Sequence, residues 1–222
     1  IMELSDFREF VSNLAVFMTI ILFMSGSLVC KQFVVNRTTA ESSPLPFVCG
    51  LISSCLWFLY GLCKHDNKII LVNTVGVTLY ISYVIVFYIF TFKKSSVLKL
   101  VFFTLVFIMF MLGYTYSEED HQVLLDRLGI ISSSLTLVTI AAPMSKLLHV
   151  FRVKNTECLP FPMIVMSFVV STLWFLYGVI EKDRYLLLPN FFGASLAVSQ
   201  LSLFVIYPTK PTSPLSIKST LA

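Results

Sequence analysis

Charge is the scarcest property of this sequence. Only 13% of its 222 residues are Asp, Glu, Lys or Arg, whereas 57% are hydrophobic, too little polar surface to coat a soluble particle of this size. The membrane is therefore the expected solvent. No Asp, Glu, Lys or Arg falls well inside an apolar stretch, and His149 sits near the end of one, which excludes the buried ionisable relays that proton-coupled carriers need. The five cysteines (Cys30, Cys49, Cys55, Cys63 and Cys158) form no CxxC or Cys/His spacing. They exclude a patterned metal site and read as small buried hydrophobes. Nucleophile, metal-ligand and phosphate-loop motifs are missing, so no enzyme activity and no cofactor or metal is expected. The net charge of +4 is too small to suggest a nucleic-acid partner. Period-two alternation is missing too, and its absence excludes a membrane barrel.

What is present is a series of continuous apolar runs, each close to the ~20 residues that cross a hydrocarbon core. Seven can be drawn, at 11–30, 44–63, 69–92, 97–116, 127–148, 160–180 and 185–207. The expected fold is all-α, an integral membrane protein of seven transmembrane helices. With the N-terminus outside, ten Lys and Arg lie on the inner side and six on the outer, the sense of the positive-inside rule. The C-terminal tail, 208–222, is polar and proline-rich and reads as disordered and cytosolic. Residues 1–10 are mixed and acidic, with no basic n-region, so the first helix is expected to act as the insertion signal. Asn36-Arg37-Thr38 fits a glycosylation sequon, but this topology places it in the cytosol, where no glycan is added.

The runs are not independent of one another. LWFLYG at 56–61 returns unchanged at 173–178, and at that offset of 117 Asp66 meets Asp183, Asn73 meets Asn190 and Gly76 meets Gly193; ten of the twenty-one residues from 56 to 76 are identical. A shared order of Trp, Tyr, Gly, Asp, Asn and Gly marks an internal duplication. Three helices cross an odd number of times, so a directly fused copy would be inverted; one extra helix restores its direction. The expected plan is 3+1+3: a first repeat at 11–92, a linker helix at 97–116 and a parallel second repeat at 127–207.

The duplication places Trp57 and Trp174, and Asn73 and Asn190, at similar depth. Asn73 lies seven residues inward of Asp66, about 10 Å at 1.5 Å per residue. Indole faces stack on the apolar face of a sugar ring, and carboxamides donate to and accept from hydroxyls without bringing charge. A lone Asn in a membrane also serves as interhelical glue and a lone Trp as packing. Paired occurrence at one depth favours a midplane site for a small neutral sugar. Tyr60, three residues outward of Trp57, can roof that site by bonding Asp183; the alternative is an interfacial tyrosine and a loop aspartate. Prolines lie at 44, 46, 143, 160, 162 and 189. Pro143 is expected to kink the fifth span and Pro189 to loosen the seventh beside Asn190.

In order, SPLPF, LWFLYG, VNTVG, APM, CLPFP, LWFLYG and LPNFFG resemble the SWEET sugar transporters over residues 11 to 207. The resemblance implies a sugar pocket lined by Trp57, Asn73, Trp174 and Asn190, and an extracellular gate at Tyr60 and Asp183. It also implies proline hinges toward the cytosol, at Pro46, Pro143 and Pro160, with Gly26 in the place of a fourth. A passive bidirectional uniporter working by alternating access in the plasma membrane or a Golgi or other endomembrane follows as the expectation. The second indole favours monosaccharides such as glucose over disaccharides, and the resemblance also implies homo-oligomers. A related PQ-loop carrier of amino acids or other small solutes, or a sorting receptor of similar fold, would want charged groups to meet charged ligands. A seven-helix receptor has no reason to duplicate its first three helices.

Overall fold

A computed structural model describes residues 4–141 and 144–207; the tail at 208–222 and the expected hinge Pro143 lie outside the described residues. Nine helices occur among these: α1 (Leu4–Met24), α2 (Gly26–Asn36), α3 (Leu45–Lys64), α4 (Asn67–Phe90), α5 (Lys94–Ser117), α6 (His121–Ala141), α7 (Met144–Val153), α8 (Phe161–Ile180) and α9 (Arg184–Ile206). They make seven spans long and apolar enough to cross a membrane, α1 with α2 forming the first and α6 with α7 the fifth. Those two spans reach from Leu4 to Asn36 and from His121 to Val153, 33 residues each, well past the expected 11–30 and 127–148. Hydropathy registers only the hydrocarbon crossing. No proline or glycine interrupts 4–24 or stands between 144 and 153, so the backbone stays helical into the polar flanks.

The first span breaks at Ser25. There the bonds tighten from i−4 to i−3, with the Ser25 amide on Leu22 O at 3.1 Å and the Leu28 amide on Ser25 O at 3.1 Å. The Tyr83 hydroxyl of α4 fills the break by donating to Phe23 O at 2.9 Å. Its ring reaches that carbonyl because Gly26 has no Cβ, which would stand 2.5 Å from Tyr83 Cε2. Gly26 therefore does more than loosen a helix; it admits a ring from a neighbouring one. The other expected hinges sit at helix starts, Pro46 in the first turn of α3 and Pro160 at the N-cap of α8, where proline costs no backbone bond.

The duplication is written into the backbone as well as the sequence. The Thr19 and Thr136 hydroxyls, 117 residues apart, each bond the carbonyl one turn back, Ala15 O at 2.7 Å and Ser132 O at 2.9 Å. α3 ends with His65 in the left-handed region (φ 58°) and α8 is followed by Lys182 at φ 52°. In each, the amide of the following aspartate reaches back to the glycine of the hexapeptide, Asp66 to Gly61 O at 3.0 Å and Asp183 to Gly178 O at 2.9 Å, a Schellman ending. A side chain on Gly61 would press on Ile69 and the Ile70 amide, and one on Gly178 on the Leu187 backbone. The glycine of LWFLYG is thus what lets the second and third helices of each repeat approach at their turn.

Within a repeat the third helix is central: α4 packs on α1, α2 and α3, and α9 on α6 and α8. The repeats meet through α1 on α8 and α3 on α6, the two pairings exchanged by the pseudo-twofold. α5 lies outside against α3 and exposes Phe102, Phe103, Met109 and Phe110, as a lipid-facing linker should. Pro189 lies inside α9, which runs unbroken past it. Proline cannot donate to Tyr185 O, and Ser133 Oγ of α6 does so instead at 2.7 Å. The expected loosening is offset by a bond between helices.

Candidate functional site

Between the two repeats lies a cavity of about 560 Å³. Trp57, Asn73, Trp174 and Asn190 all line it, so the four residues picked out by the duplication share one space. Each Asn donates from Nδ2 to the carbonyl one turn back, Asn73 to Ile69 O at 2.8 Å and Asn190 to Leu186 O at 2.7 Å. The carboxamides are fixed by those bonds, and each has its oxygen and one further N–H in hand for a ligand.

The indoles are held across the repeat interface. Trp57 Nε1 donates to Thr136 Oγ1 at 3.1 Å and Trp174 Nε1 to Thr19 Oγ1 at 2.8 Å. Thr19 and Thr136 are themselves 117 residues apart and both line the cavity. Each hydroxyl in turn donates to a backbone carbonyl one turn back, Ala15 O and Ser132 O. A Trp from one repeat is thus oriented by a Thr from the other, twice, which presents the indole faces and spends their polar edges. Neither threonine was singled out in the sequence, although its exact partner at 117 was there to be read.

One end of the cavity is shut. Tyr60 donates to Asp183 Oδ2 at 2.8 Å, and Tyr177 to Asp66 Oδ2 at 2.9 Å. Tyr60 and Tyr177 are each 2% exposed, so no path passes them. The second latch escaped the sequence reading, although applying the offset to Tyr60 and Asp183 gives it at once. Each aspartate holds its latch oxygen in place by spending the other oxygen on the N-cap of the next helix: Asp66 on the Lys68 and Ile69 amides, Asp183 on those of Tyr185 and Leu186. Below the latches, Trp57 packs edge-on to Tyr60 at 5.4 Å and Trp174 to Tyr177 at 5.7 Å, so each hexapeptide joins wall to roof.

The latches differ in their ions. Lys64 Nζ pairs with Asp183 Oδ2 alongside Tyr60, whereas the residue 117 further on is Glu181, which pairs with Arg8 of α1. Outside the Asp66 latch a polar depression of about 450 Å³ is lined by Arg8, Glu9, Lys64, Lys68 and Glu181 among others. At the opposite end the cavity runs out to Leu45 and Pro46, both exposed. That end, where α3 and α8 begin, is called the proline face below and the other the latch face. Among the described residues, no acid, lysine, arginine or histidine lines the cavity, and no cluster of three or more His, Cys, Asp or Glu forms a metal site.

Two parallel three-helix repeats, joined by a linker helix and enclosing a neutral cavity shut at one end, define a membrane carrier. Its sequence matches the profile described as "Sugar efflux transporter for intercellular exchange" twice, over residues 9–95 and 126–212, and the chain belongs to this family, the SWEET sugar transporters, which are not enzymes. It is 39% identical to the "Sugar transporter SWEET1" of Drosophila pseudoobscura pseudoobscura over 92% of both chains. It is 34% identical to that of Caenorhabditis elegans over 88% of this chain and 64% of the relative. The fold superposes on the structure of a eukaryotic SWEET transporter with a TM-score of 0.82, covering 90% of this chain and 98% of that one at 20% identity.

Proposed function

We propose that this protein is a passive, bidirectional uniporter for monosaccharides such as glucose, rocking its two repeats about the central cavity so that it opens alternately to either side. Residues 11–92 and 127–207 are the moving halves and 97–116 the linker. The latch face is extracellular and the proline face cytosolic, in the plasma membrane or an endomembrane, so the described conformation is closed outside. A glycan mapped to Asn36 would reverse that orientation.

One observation carries the reading: paired Trp, Thr and Asn side chains from two repeats converge on one uncharged cavity. A pyranose stacks its C–H face on Trp57 or Trp174 and bonds its hydroxyls to Asn73 and Asn190. A neutral solute in a cavity whose described lining holds no acid, lysine, arginine or histidine moves down its own gradient. Tyr60 with Asp183 is the extracellular gate, and Tyr177 with Asp66 its twin. Gly26, Pro46 and Pro160, with Pro143 as the hinge outside the described residues, are the points at which the halves flex toward the cytosol. Two indoles narrow the site toward one sugar ring.

The test is flux of a sugar panel in proteoliposomes, with and without a pH gradient. Glucose should equilibrate without accumulating, and Asn73→Ala and Asn190→Ala should each abolish flux at normal expression. Unchanged flux in both variants removes the pocket assignment, proton-driven accumulation removes the passive mechanism, and sucrose flux equal to glucose flux removes the size preference.

A further inference from the structure

The arm of the cavity that runs to the proline face is built by the first repeat. Leu45, Pro46, Cys49, Gly50 and Tyr80 line it, from α3 and α4, whereas the second-repeat lining runs no further than Thr139 and Val170 among the described residues. Tyr80 stands seven residues beyond Asn73 on α4, hence about 10 Å farther from the latches on nearly the same face. Its counterpart 117 residues on is Ala197, 2% exposed and packed with Val150, Leu159, Ile164 and Leu203.

The Tyr80 ring is held in place. A Cβ on Gly50 would overlap it, and it meets Phe23 and Tyr83 edge-on at 5.4 and 5.9 Å. Its hydroxyl, however, has no hydrogen-bond partner among the described residues, and the half-buried residue lines the open arm of the cavity, where that hydroxyl is free to bond a solute. A fixed ring and an unused hydroxyl beside a solute path describe a binding position waiting for a ligand.

We propose that Tyr80 forms a second sugar subsite, about 10 Å below the asparagines. Its hydroxyl bonds a sugar hydroxyl there while Leu45, Pro46 and the ring itself face the apolar side of the pyranose. The sugar occupies this subsite between the central cavity and the proline face. Because Ala197 offers no such group, the path is one-sided, following the first repeat. The inference rests on the sugar-transport reading above and adds to it a residue and a place.

Cys49 lines the same arm and supplies the readout. In reconstituted protein with Cys49 as its sole cysteine, glucose should slow the alkylation of Cys49 by N-ethylmaleimide. Tyr80→Phe keeps the ring and its packing but deletes the hydroxyl. It should raise the half-protecting glucose concentration about threefold to tenfold, the effect of one neutral hydrogen bond. A purely structural role for Tyr80 would be met equally well by phenylalanine. Equal half-protection in the two proteins overturns the proposal, as does failure of glucose to protect Cys49 in protein that carries glucose flux. Absence of glucose flux in the parent protein would instead strike the proposed function.

Discussion

Tyr177→Phe and Tyr60→Phe each delete one hydroxyl from a latch and leave its ring in place, yet the two should not weaken closure equally. A hydrogen bond to a charged group contributes about 1.5–3 kcal/mol, more when its loss leaves the partner unsatisfied. Without Tyr60, Asp183 Oδ2 still has Lys64, so the low end applies, about 1.5 kcal/mol or roughly tenfold in the closed-to-open ratio. Without Tyr177, Asp66 Oδ2 keeps no partner among the described residues, and Asp66 is 8% exposed. That places Tyr177→Phe near 3 kcal/mol, about a hundredfold.

Cys49 reports the difference, because it lies inside the cavity beyond both latches. In sealed vesicles with Cys49 as the only cysteine, a membrane-impermeant maleimide applied at the latch face reacts only when that end opens. Its rate should rise about tenfold in Tyr60→Phe and about a hundredfold in Tyr177→Phe. Rates equal to the parent in both variants would refute the latch. The reverse order would refute the argument that Lys64 makes the Asp183 side the more forgiving of the two.

Three further perturbations follow from the packing. Gly26→Ala drives a Cβ into the Tyr83 ring and should cost about 1–3 kcal/mol, while Tyr83→Phe strands Phe23 O at the break for about the same; thermal unfolding in detergent reads both, and the double variant should be less than additive. Ser133→Ala should cost about 1–3 kcal/mol by leaving Tyr185 O unpaired, but much less in a Pro189→Ala background, where residue 189 regains its amide; a double-mutant cycle on unfolding temperature measures the rescue. Thr19→Val and Thr136→Val remove the acceptors that orient Trp174 and Trp57. Each should raise the KM for sugar flux about threefold to tenfold.

The sequence carried the architecture further than the site. Continuous apolar runs and one exact hexapeptide were enough for seven spans in a duplicated plan, because both are properties of residue order. The helical flanks at 4–10 and 149–153 were not legible, since the polar flanks of a long helix look like loops to hydropathy. Trp57, Asn73, Trp174 and Asn190 stood out through being paired and unusual at their depth. Thr19 and Thr136 were paired as well but chemically ordinary, and only the indole bonds reveal them. Tyr80 and the Tyr83–Gly26 contact had no signature at all: each depends on where a ring from one helix meets a glycine on another, which no single stretch encodes.

These last contacts fall at one end of the molecule, and this bears on how the halves move. At the latch face the repeats agree in almost every working part: Gly61 with Gly178, His65 with Lys182, Asp66 with Asp183, Tyr60 with Tyr177. On the proposed rocking mechanism, opening there parts two latches alike in geometry and unlike only in their ions, so the halves begin as near-equivalent bodies. At the proline face the matches stop. Gly26 answers to Pro143, Tyr83 to Gln200 and Tyr80 to Ala197, while Phe33 packs edge to face on Phe47 and Phe87, and Phe47 packs tilted on Tyr83 and Phe87, within the first repeat. Rings that interlock across α2, α3 and α4 in the buried core of the first repeat resist shear, whereas the second repeat buries Val150, Ile164 and Ala197 in the comparable cluster, and its ring pairs there, Phe151–Tyr207 and Phe161–Phe204, each use a half-exposed phenylalanine at the rim. Closure at the proline face should therefore be carried mainly by α7 and α8 moving against a stiffer first repeat. Spin-label distances would read it: pairs within α2, α3 and α4 should hold constant on sugar addition while pairs from α7 to α4 shorten, and equal changes in both sets would refute the division.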